Sequence, residues 1–215
     1  MMQRTLQPEL LDSLPPEHPD AQHSRRDLRL TNRIMGNHRW FAHTLPALLL
    51  PGETVLEIGA GTGELGLRLA AHGLAVDGLD LWPRPEDWPA AHAWHSADLR
   101  SFAGYERYGG IVGNLIFHQF TDAELAGLGA ILHHTARVIV ACEPVRRRFS
   151  QGLYAVASSL LGASRVTQHD AHVSIAAGFR GDELPQRLGL DPAVWNIRCV
   201  TTALGAYRMV GVKRA

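Results

Sequence analysis

This sequence is short of cysteine, net charge and long apolar runs. Its 215 residues include only two cysteines, and neither lies in a CxxC pair, which argues against a disulfide framework or a cysteine-based zinc site. Lys+Arg and Asp+Glu both total 21, so the formal net charge is zero and no long-range field favours nucleic acid. The longest aliphatic cluster, residues 45–50, is far shorter than the roughly 20 residues that a membrane-spanning helix needs. We therefore predict a cytoplasmic protein with no nucleic-acid or membrane partner.

Internal repeats and metal-ligand spacings are also missing. No pattern recurs with a period of about 20 to 50 residues, which argues against solenoids and propellers. His92 and His95, like His169 and His172, are three residues apart, and in an extended chain such pairs face opposite sides. We therefore predict no metal site. The sequence gives no signal for the oligomeric state.

The first 50 residues form a region of their own. Pro15, Pro16 and Pro19 prevent a continuous helix there and predict an extended arm. A helical stretch from residue 27 to residue 49 follows, with a break at Gly36 and Asn37. The first 26 residues contain no apolar core that resembles a secretory signal. We predict an arm and cap helices in residues 1–50 and the main domain in residues 51–215.

Short apolar runs alternate with helical stretches from residue 54 onward. The predicted strands are Thr54–Ile58, Ala75–Leu79, Ala91–Trp94, Gly110–Leu115 and Arg137–Cys142. The predicted helices are Glu64–Ala71, Asp122–His134 and Arg146–Leu161. This alternation predicts an α/β fold with a mostly parallel sheet and helices on both faces. Val194–Thr202 and Ala206–Lys213 are two further β-rich runs, and they predict a C-terminal antiparallel hairpin.

A glycine-rich turn joins the first predicted strand to the first helix after it. Glycines at positions 59, 61 and 63 allow positive φ angles and carry no Cβ atoms, so a ligand can lie against the backbone. The helix that follows presents free amides at its N-terminus. Glu57 lies at the end of the strand, where its carboxylate can reach a cationic or amine-bearing ligand across the turn.

Polar residues also end the next three strands. Asp80 follows Gly59 by 21 residues, the separation expected of a carboxylate that holds ribose hydroxyls. Asp98 follows the third strand and Asn114 ends the fourth. Because open parallel sheets bind ligands at the carboxyl ends of their strands, these residues define a candidate ligand edge.

These motifs resemble the class I S-adenosylmethionine-dependent methyltransferases. The resemblance rests on VLEIGAGTG at residues 55–63, LD at 79–80, AD at 97–98 and GNLIFHQF at 113–120, and it covers residues 54–143. It implies a Rossmann-like, seven-stranded sheet whose last strand is antiparallel, as the predicted hairpin requires. It also implies S-adenosylmethionine as the cofactor.

The resemblance further implies which residues hold this cofactor. In the family, the glycine loop contacts the methionine part, the acid after the second strand holds the ribose, and the acid after the third strand meets the adenine. The implied contacts in this sequence are Glu57, Gly59, Ala60, Gly61, Gly63, Asp80, Leu81, Asp98, Leu99, Asn114 and Leu115. Asp98 has an alternative role, since an acid at a strand end often caps the following turn.

Two other functions stay open at this point. Residues 61–66 satisfy the GxGxxG pattern of nicotinamide-dependent oxidoreductases. Counted from Gly59, however, the third glycine is misplaced, and Glu57 would put negative charge near a pyrophosphate. A protein that binds S-adenosylmethionine without catalysis is the second alternative.

The segment after the fourth strand indicates a small-molecule acceptor. Enzymes that methylate amino groups of nucleic acids carry Asn or Asp, then Pro-Pro and an aromatic, whereas here Leu115 and Ile116 follow Asn114. We predict O-methylation of a phenol, enol or quinone-like acceptor. His118 is the first candidate for the base and Glu143 the second. Alternatively, His118 lines the pocket and catalysis depends on positioning alone.

Candidate acceptor contacts lie in a polar insert before the hairpin. They are His169, His172 and Arg180, of which Arg180 could pair with an anionic group or make a structural salt bridge. The N-terminal region could fold over the cofactor as a lid, with contacts from Arg33, Asn37 and Arg39, or these residues could be solvated helix positions. Asp77 is predicted to be a surface charge.

Overall fold

A computed structural model describes residues 2–15, 17–160 and 162–214. Outside these ranges lie Met1, Pro16, Leu161 and Ala215. Two predictions therefore fall outside the described residues: the end of a helix at Leu161 and the role of Pro16 in the arm. Among the helices of the described ranges, none combines the length and the apolar character needed to cross a membrane.

A single seven-stranded sheet organises the chain. Its strands are β1 (Val55–Ile58), β2 (Val76–Asp80), β3 (Trp94–Ser96), β4 (Gly110–Asn114), β5 (Val138–Pro144), β6 (Trp195–Thr201) and β7 (Ala206–Lys213). Their order in the sheet is β3-β2-β1-β4-β5-β7-β6. All neighbours pair in parallel except β7, which runs antiparallel to β5 and β6. The predicted α/β fold and its C-terminal antiparallel hairpin are confirmed.

Two strands differ from their predicted bounds in a way that matters. The third begins at Trp94 instead of Ala91, where the ring of Trp94 packs on Gly78 and leaves no room for a Cβ atom. The fifth continues through Pro144, because its last residues pair with the start of β7. Glu143 therefore lies inside a central strand, in the sheet and not in the loop after it.

Seven helices surround the sheet in the described part of the chain. They are α1 (Pro19–Met35), α2 (Asn37–Thr44), α3 (Glu64–Ala70), α4 (Asp122–Thr135), α5 (Arg148–Leu160), α6 (Arg165–Ala177) and α7 (Glu183–Arg187). The predicted helices α3 and α4 are confirmed to within a residue, and Thr121 and Glu124 form a reciprocal cap at the start of α4.

The N-terminal helix is longer than predicted. It begins at Pro19 instead of residue 27, because proline is compatible with the first helical turn and the His18 side chain accepts a hydrogen bond from the Asp20 amide. The break at Gly36 is confirmed, since this residue has φ +66° and ends α1. The polar insert around His169 is also helical, as part of α6.

Buried apolar residues lie on both faces of the sheet. Leu56, Ile111 and Ile139 face one layer of the core, which α4 and α7 cover. Val55, Val112 and Val140 face the other, together with Phe41 and Leu45 from the N-terminal region. Both faces are thus covered, and the carboxyl edge of the sheet is left to carry polar side chains.

Asp77 is not a simple surface charge. Its carboxylate accepts hydrogen bonds from the Ala93 amide at 2.8 Å and from the Tyr108 hydroxyl at 2.9 Å. The same hydroxyl lies 2.8 Å from His95 Nε2. Asp77 thus fixes the chain entering β3 against the second strand, a structural role that one residue in an apolar run does not reveal.

Candidate functional site

The glycine-rich turn after β1 has the conformation that its sequence predicts. Gly59, Gly61 and Gly63 have φ values of +63°, +55° and +76°, which L-residues with side chains rarely adopt. A Cβ atom on Gly59 would lie 2.5 Å from the Ile116 side chain, so the turn packs directly against the segment after β4. No atom lies within 4 Å of the corresponding position on Gly61. The middle of the turn is therefore open for a ligand.

Asp80 joins the glycine turn to the end of β2. One carboxylate oxygen accepts a hydrogen bond from the Gly61 amide at 2.7 Å, and the other accepts from the Trp82 amide at 2.9 Å. The side chain is only half-buried, and each carboxylate oxygen can accept a further bond. Asp80 therefore has both the position and the free capacity to hold two hydroxyl groups.

Glu57 is an uncompensated acid beneath the turn. Only 3% of the residue is exposed, and burial raises the pKa of its carboxyl group to about 8. The Gly66 amide donates to it, whereas its Oε2 has no hydrogen-bond partner. The nearby Asp80 and Glu64 raise the pKa further. An isolated buried carboxylate is costly, so this site is suited to a cationic ligand group.

Asp98 is engaged in a local ion pair. Its carboxylate accepts from the backbone amide of Arg100 at 2.8 Å and from the guanidinium of the same residue. These bonds hold the pKa of Asp98 below its ordinary value. The acid thus caps the turn after β3, the alternative that the sequence left open. Leu99 is buried in the core beside it, while Leu81 is 73% exposed after β2.

The segment after β4 begins with a strained residue. Leu115 has φ +60°, the only positive value among the described residues other than glycine, and its amide donates to the Cys142 carbonyl at 2.8 Å. The preceding Asn114 donates to Asn32 Oδ1 of α1 at 3.2 Å. The chain is thereby turned towards α1 immediately after the strand.

Helix α1 lies across the carboxyl edge of the sheet. Arg25 stacks over the Trp82 ring after β2, with 5.6 Å between the guanidinium carbon and the ring centroid. One turn later, Arg29 donates to Glu64 at the start of α3 at 3.1 Å. The C-terminal end of α1 reaches β7, where Arg208 donates to the Met35 carbonyl at 3.1 Å. The helix therefore covers the edge that holds the glycine turn.

His118 and Glu143 form a buried pair beside this edge. Glu143 is completely buried and accepts from three successive amides, those of Ile116, Phe117 and His118, at 2.9 to 3.2 Å. Its Oε2 also accepts from His118 Nδ1 at 2.6 Å. These four hydrogen bonds of the Glu143 side chain all come from residues 116–118, so Glu143 fixes the position of the histidine ring.

The N-terminal arm supplies a third member, Glu9, which no sequence motif indicates. Its Oε1 lies 3.1 Å from His118 Nε2 and also accepts from the Ser174 hydroxyl of α6. Burial disfavours a charged imidazole, but attraction to Glu143 and Glu9 outweighs it and raises the pKa of His118 to about 10. The ring is therefore an imidazolium at neutral pH, with a carboxylate on each nitrogen.

Specific contacts hold the arm in place along its length. Arg4 donates to the carbonyls of Ala177, His118 and Phe120 and to the Asp122 carboxylate. Further along, the amides of Leu10 and Leu11 donate to the two carboxylate oxygens of Asp170. Residues 2–9 of the arm are without regular structure, whereas Leu11–Ser13, in the stretch predicted to be extended, form a short 3-10 helix that these contacts hold against α6.

A cavity of about 260 Å³ lies between the arm and α6. His118 and Glu9 form its polar end. Its apolar wall consists of Leu6, Pro8, Val173 and Ala177. Asp12, also in the wall, has its pKa raised to about 6 by burial and by the neighbouring Glu9 and Asp170. This cavity is a candidate acceptor pocket next to the histidine.

The three predicted acceptor contacts are not gathered in this cavity. His169 lies 3.0 Å from Asp170 on the exposed side of α6, and His172 lines a second cavity with Met2 and Gln7. Arg180 donates to the Arg146 carbonyl, a structural contact. Because residues 165–177 are helical, His169 and His172 share one side of the helix, contrary to the extended-chain argument. In the described ranges no group of three metal-binding side chains is found.

The strand order and the glycine turn define the class of the fold. A 3-2-1-4-5-7-6 sheet with one antiparallel strand and a ligand turn after β1 is the fold of the class I S-adenosylmethionine-dependent methyltransferases, as the resemblance implied. A dinucleotide-binding sheet has the order 3-2-1-4-5-6 and needs no such inserted strand.

Solved structures of this class superpose on the chain. The plantazolicin methyltransferase BpumL in complex with SAH is 12% identical, covers 95% of this chain and 93% of its own, and gives a TM-score of 0.73. Human N-acetylserotonin methyltransferase in complex with SAM is 13% identical, and the superposition covers 95% of this chain and 61% of the human chain with a TM-score of 0.64. A cyclopropane-fatty-acyl-phospholipid synthase-like protein from Lactobacillus casei is 15% identical, and the superposition covers 86% of this chain and 93% of that protein with a TM-score of 0.56. These similarities show the fold.

No protein-family model and no curated protein matches the chain.

Proposed function

We propose that this protein transfers a methyl group from S-adenosylmethionine to a small-molecule acceptor. The observation that carries the proposal is the carboxyl edge of the sheet, where an open glycine turn lies between Asp80 and the buried Glu57. The neighbours crystallised with SAH or SAM support the choice of cofactor. The inserted antiparallel strand speaks against a nicotinamide-dependent oxidoreductase.

The residues at this edge fit the chemistry of the cofactor. Asp80 would hold the ribose hydroxyls, Gly59, Ala60, Gly61 and Gly63 would lie against the methionine part, and Glu57 would face its ammonium group. Leu81 and Leu99 would flank the adenine. Asp98 would reach the adenine amino group only with the oxygen capacity that Arg100 leaves free. When bound, the cofactor supplies an electrophilic methyl on a sulfonium for in-line displacement.

The cavity beside His118 suits an acceptor with an acidic hydroxyl. An imidazolium donates hydrogen bonds and stabilises negative charge, so a phenolate or enolate oxygen could replace Glu9 at Nε2. The hydrogen bond and the charge of the His118 ring, with the hydrogen bonds from Ser174 and Gln119, together outweigh burial and lower the pKa of Glu9. Glu9 is therefore a carboxylate, and it would take the proton once the acceptor oxygen displaces it from the ring. We therefore propose O-methylation, with His118 as the positioning donor and Glu143 as the residue that orients it.

Calorimetric titration tests the cofactor first. We expect micromolar binding of S-adenosylmethionine and S-adenosylhomocysteine and no binding of nicotinamide dinucleotides. Dinucleotide binding alone would overturn the proposal. Acceptors are then screened as phenols, enols and quinone-like acids by acceptor-dependent formation of S-adenosylhomocysteine. A protein that binds the cofactor tightly but turns over no acceptor in any of these classes would be a binding protein and not the enzyme proposed here.

A further inference from the structure

A buried polar layer lies between the N-terminal helices and one face of the sheet. It consists of Asn32, Asn37, Glu57, Asn114 and Arg208. Asn32 Oδ1 is at its centre and accepts from Asn37 Nδ2 at 2.9 Å and from Asn114 Nδ2 at 3.2 Å. Asn37 is fully buried at the start of α2, and Asn32 is buried in α1. The predicted lid residues Arg33 and Arg39 are exposed and take no part in this layer.

Strand register brings the sheet residues of this layer together. Glu57 lies beside Val112, so Asn114 is two residues further along the neighbouring strand and faces the same side. Asn114 lies beside Cys142, which lies beside Arg208. From ordinary strand spacing, the Cα atom of Asn114 is about 8 Å from that of Glu57 and about 10 Å from that of Arg208.

Unused hydrogen-bonding capacity is concentrated here. Among the described residues, four buried side-chain atoms have no partner, and all four belong to the buried polar layer: Asn37 Oδ1, Glu57 Oε2, Asn114 Oδ1 and Arg208 Nε. Native proteins rarely leave buried polar atoms unpaired, so a cluster of four calls for a common explanation. The two asparagine oxygens are acceptors, Glu57 Oε2 is an acceptor once its carboxyl group is ionised, and Arg208 Nε is a cationic donor.

This division of donors and acceptors selects the chemistry of a ligand. Three acceptor oxygens match a group that only donates, such as an ammonium, and an unpaired guanidinium N–H matches a carboxylate. A metal cation would satisfy the oxygens but would be repelled by Arg208. A group that carries both an ammonium and a carboxylate on one carbon is an α-amino acid, and S-adenosylmethionine ends in one.

We infer that the buried polar layer binds the zwitterionic amino-acid end of the cofactor. Asn37, Asn114 and Glu57 receive the ammonium, Arg208 receives the carboxylate, and Asn32 holds the two asparagine amides in place. This inference rests on the proposed function and extends the site to α1, α2 and β7, beyond the glycine turn. The N-terminal helices thereby become part of the cofactor site.

A thermodynamic cycle by calorimetry tests the inference without any activity assay. S-adenosylhomocysteine and 5′-methylthioadenosine, which lacks the amino-acid part, are titrated into the wild type, Asn37→Ala and Arg208→Met. We expect each variant to lose about 10- to 100-fold in affinity for S-adenosylhomocysteine, as for a lost charge-assisted hydrogen bond. Affinity for 5′-methylthioadenosine should change by less than about twofold.

Matched controls and contrary outcomes complete the design. Asn196→Ala and Arg198→Met change the same residue types at exposed positions of the edge strand β6 and should leave both affinities unchanged. Equal losses for the two ligands, or none, would overturn the inference. Should a variant not fold, the wild type is titrated with an analogue of S-adenosylhomocysteine that lacks the carboxylate, and unchanged affinity overturns it as well. A wild type that binds neither nucleoside contradicts the proposed function itself.

Discussion

Two regions of this molecule are built in opposite ways: the carboxyl edge with Glu57, the glycine turn and Asp80, here called the cofactor edge after its proposed role, and the surroundings of His118 and Glu9, here called the acceptor side. At the cofactor edge, Glu57, the glycine turn and Asp80 come from one stretch of 24 residues, so a contiguous motif specifies them. On the acceptor side, Glu9 meets His118 across 109 residues, and Leu10 meets Asp170 across 160. Under the proposed function, local sequence therefore determines where the methyl donor would bind, and the tertiary fold determines what would receive the methyl group.

The two regions also differ in how completely their buried acids are satisfied. Glu143 accepts three amides and an imidazolium, so its charge is fully compensated within the chain. Glu57 has one oxygen without a partner and a pKa raised to about 8 by burial. We expect the first acid to matter for folding and the second for ligand binding.

The largest expected effect is on the acceptor side. Replacing Glu143 by alanine leaves a buried imidazolium and three amides without their acceptor, so the free energy of unfolding should fall by about 3 to 5 kcal/mol. Urea denaturation measures this change. The exposed Glu86, replaced in the same way, should alter stability by no more than about 0.5 kcal/mol. A small effect of Glu143→Ala would show that the two regions do not differ as described.

The next effect is at the cofactor edge. Asp80→Ala should weaken S-adenosylmethionine binding by about 1.5 to 3 kcal/mol, because the ribose loses charge-assisted hydrogen bonds and the Gly61 amide loses its acceptor. Asp80→Asn retains one acceptor oxygen and should lose less. Calorimetry measures both variants, and unchanged affinity in Asp80→Ala would refute the ribose assignment.

A pH titration of stability sharpens the comparison. The pKa of His118 is about 10 in the folded protein and about 6.5 when unfolded. Its stabilising contribution is therefore complete below pH 6.5 and is lost as the pH rises to 10, at no more than about 1.4 kcal/mol per unit. Between pH 6.5 and pH 10, the free energy of unfolding of the wild type should therefore fall more steeply than that of His118→Gln, by up to about 1.4 kcal/mol per pH unit. Parallel curves for the two proteins would show that the ring is not charged.

The smallest effect is again at the cofactor edge. If Glu57 ionises when it meets the ammonium of the cofactor, affinity for S-adenosylhomocysteine should rise about fivefold between pH 7 and pH 8. The groups that face Glu57 are Asp80 and Glu64, whose charges raise its pKa, and the Gly66 amide, which lowers it. The Glu57→Gln variant should bind more weakly and without this pH dependence. Calorimetry in buffers of different ionisation enthalpy reports the released proton directly.

The contrast between the regions also explains how far the sequence could be interpreted. The glycine turn, the alternation of strands and helices after residue 54 and the C-terminal hairpin follow from short-range patterns and are confirmed. Glu9 could not be found, since an acid in a proline-containing arm has no local feature that points to a histidine 109 residues away. The substrate contacts assigned to His169 and Arg180 stay predictions, and the structure places these residues outside the cavity beside His118.

Two helical segments were obscured by their composition. Residues 165–177 carry polar side chains on most of their surface, so their apolar positions do not stand out as a stripe. The start of α1 was hidden by Pro19, a residue that interrupts a helix interior but is well tolerated at the first position. Asn32 carries no signal in the sequence, and Asn37 is predicted there only as a possible lid contact, because their burial depends on α1 reaching across the sheet.

Under the proposed function, the path of α1 over the carboxyl edge would limit how fast the spent cofactor leaves. A nucleoside bound on the glycine turn would lie beneath this helix, which is fastened at Trp82, Glu64 and Arg208. Spent cofactor would then leave only as often as those contacts open. Dissociation kinetics and local hydrogen exchange of residues 19–35 should accordingly share one time constant, however fast the methyl group itself is transferred.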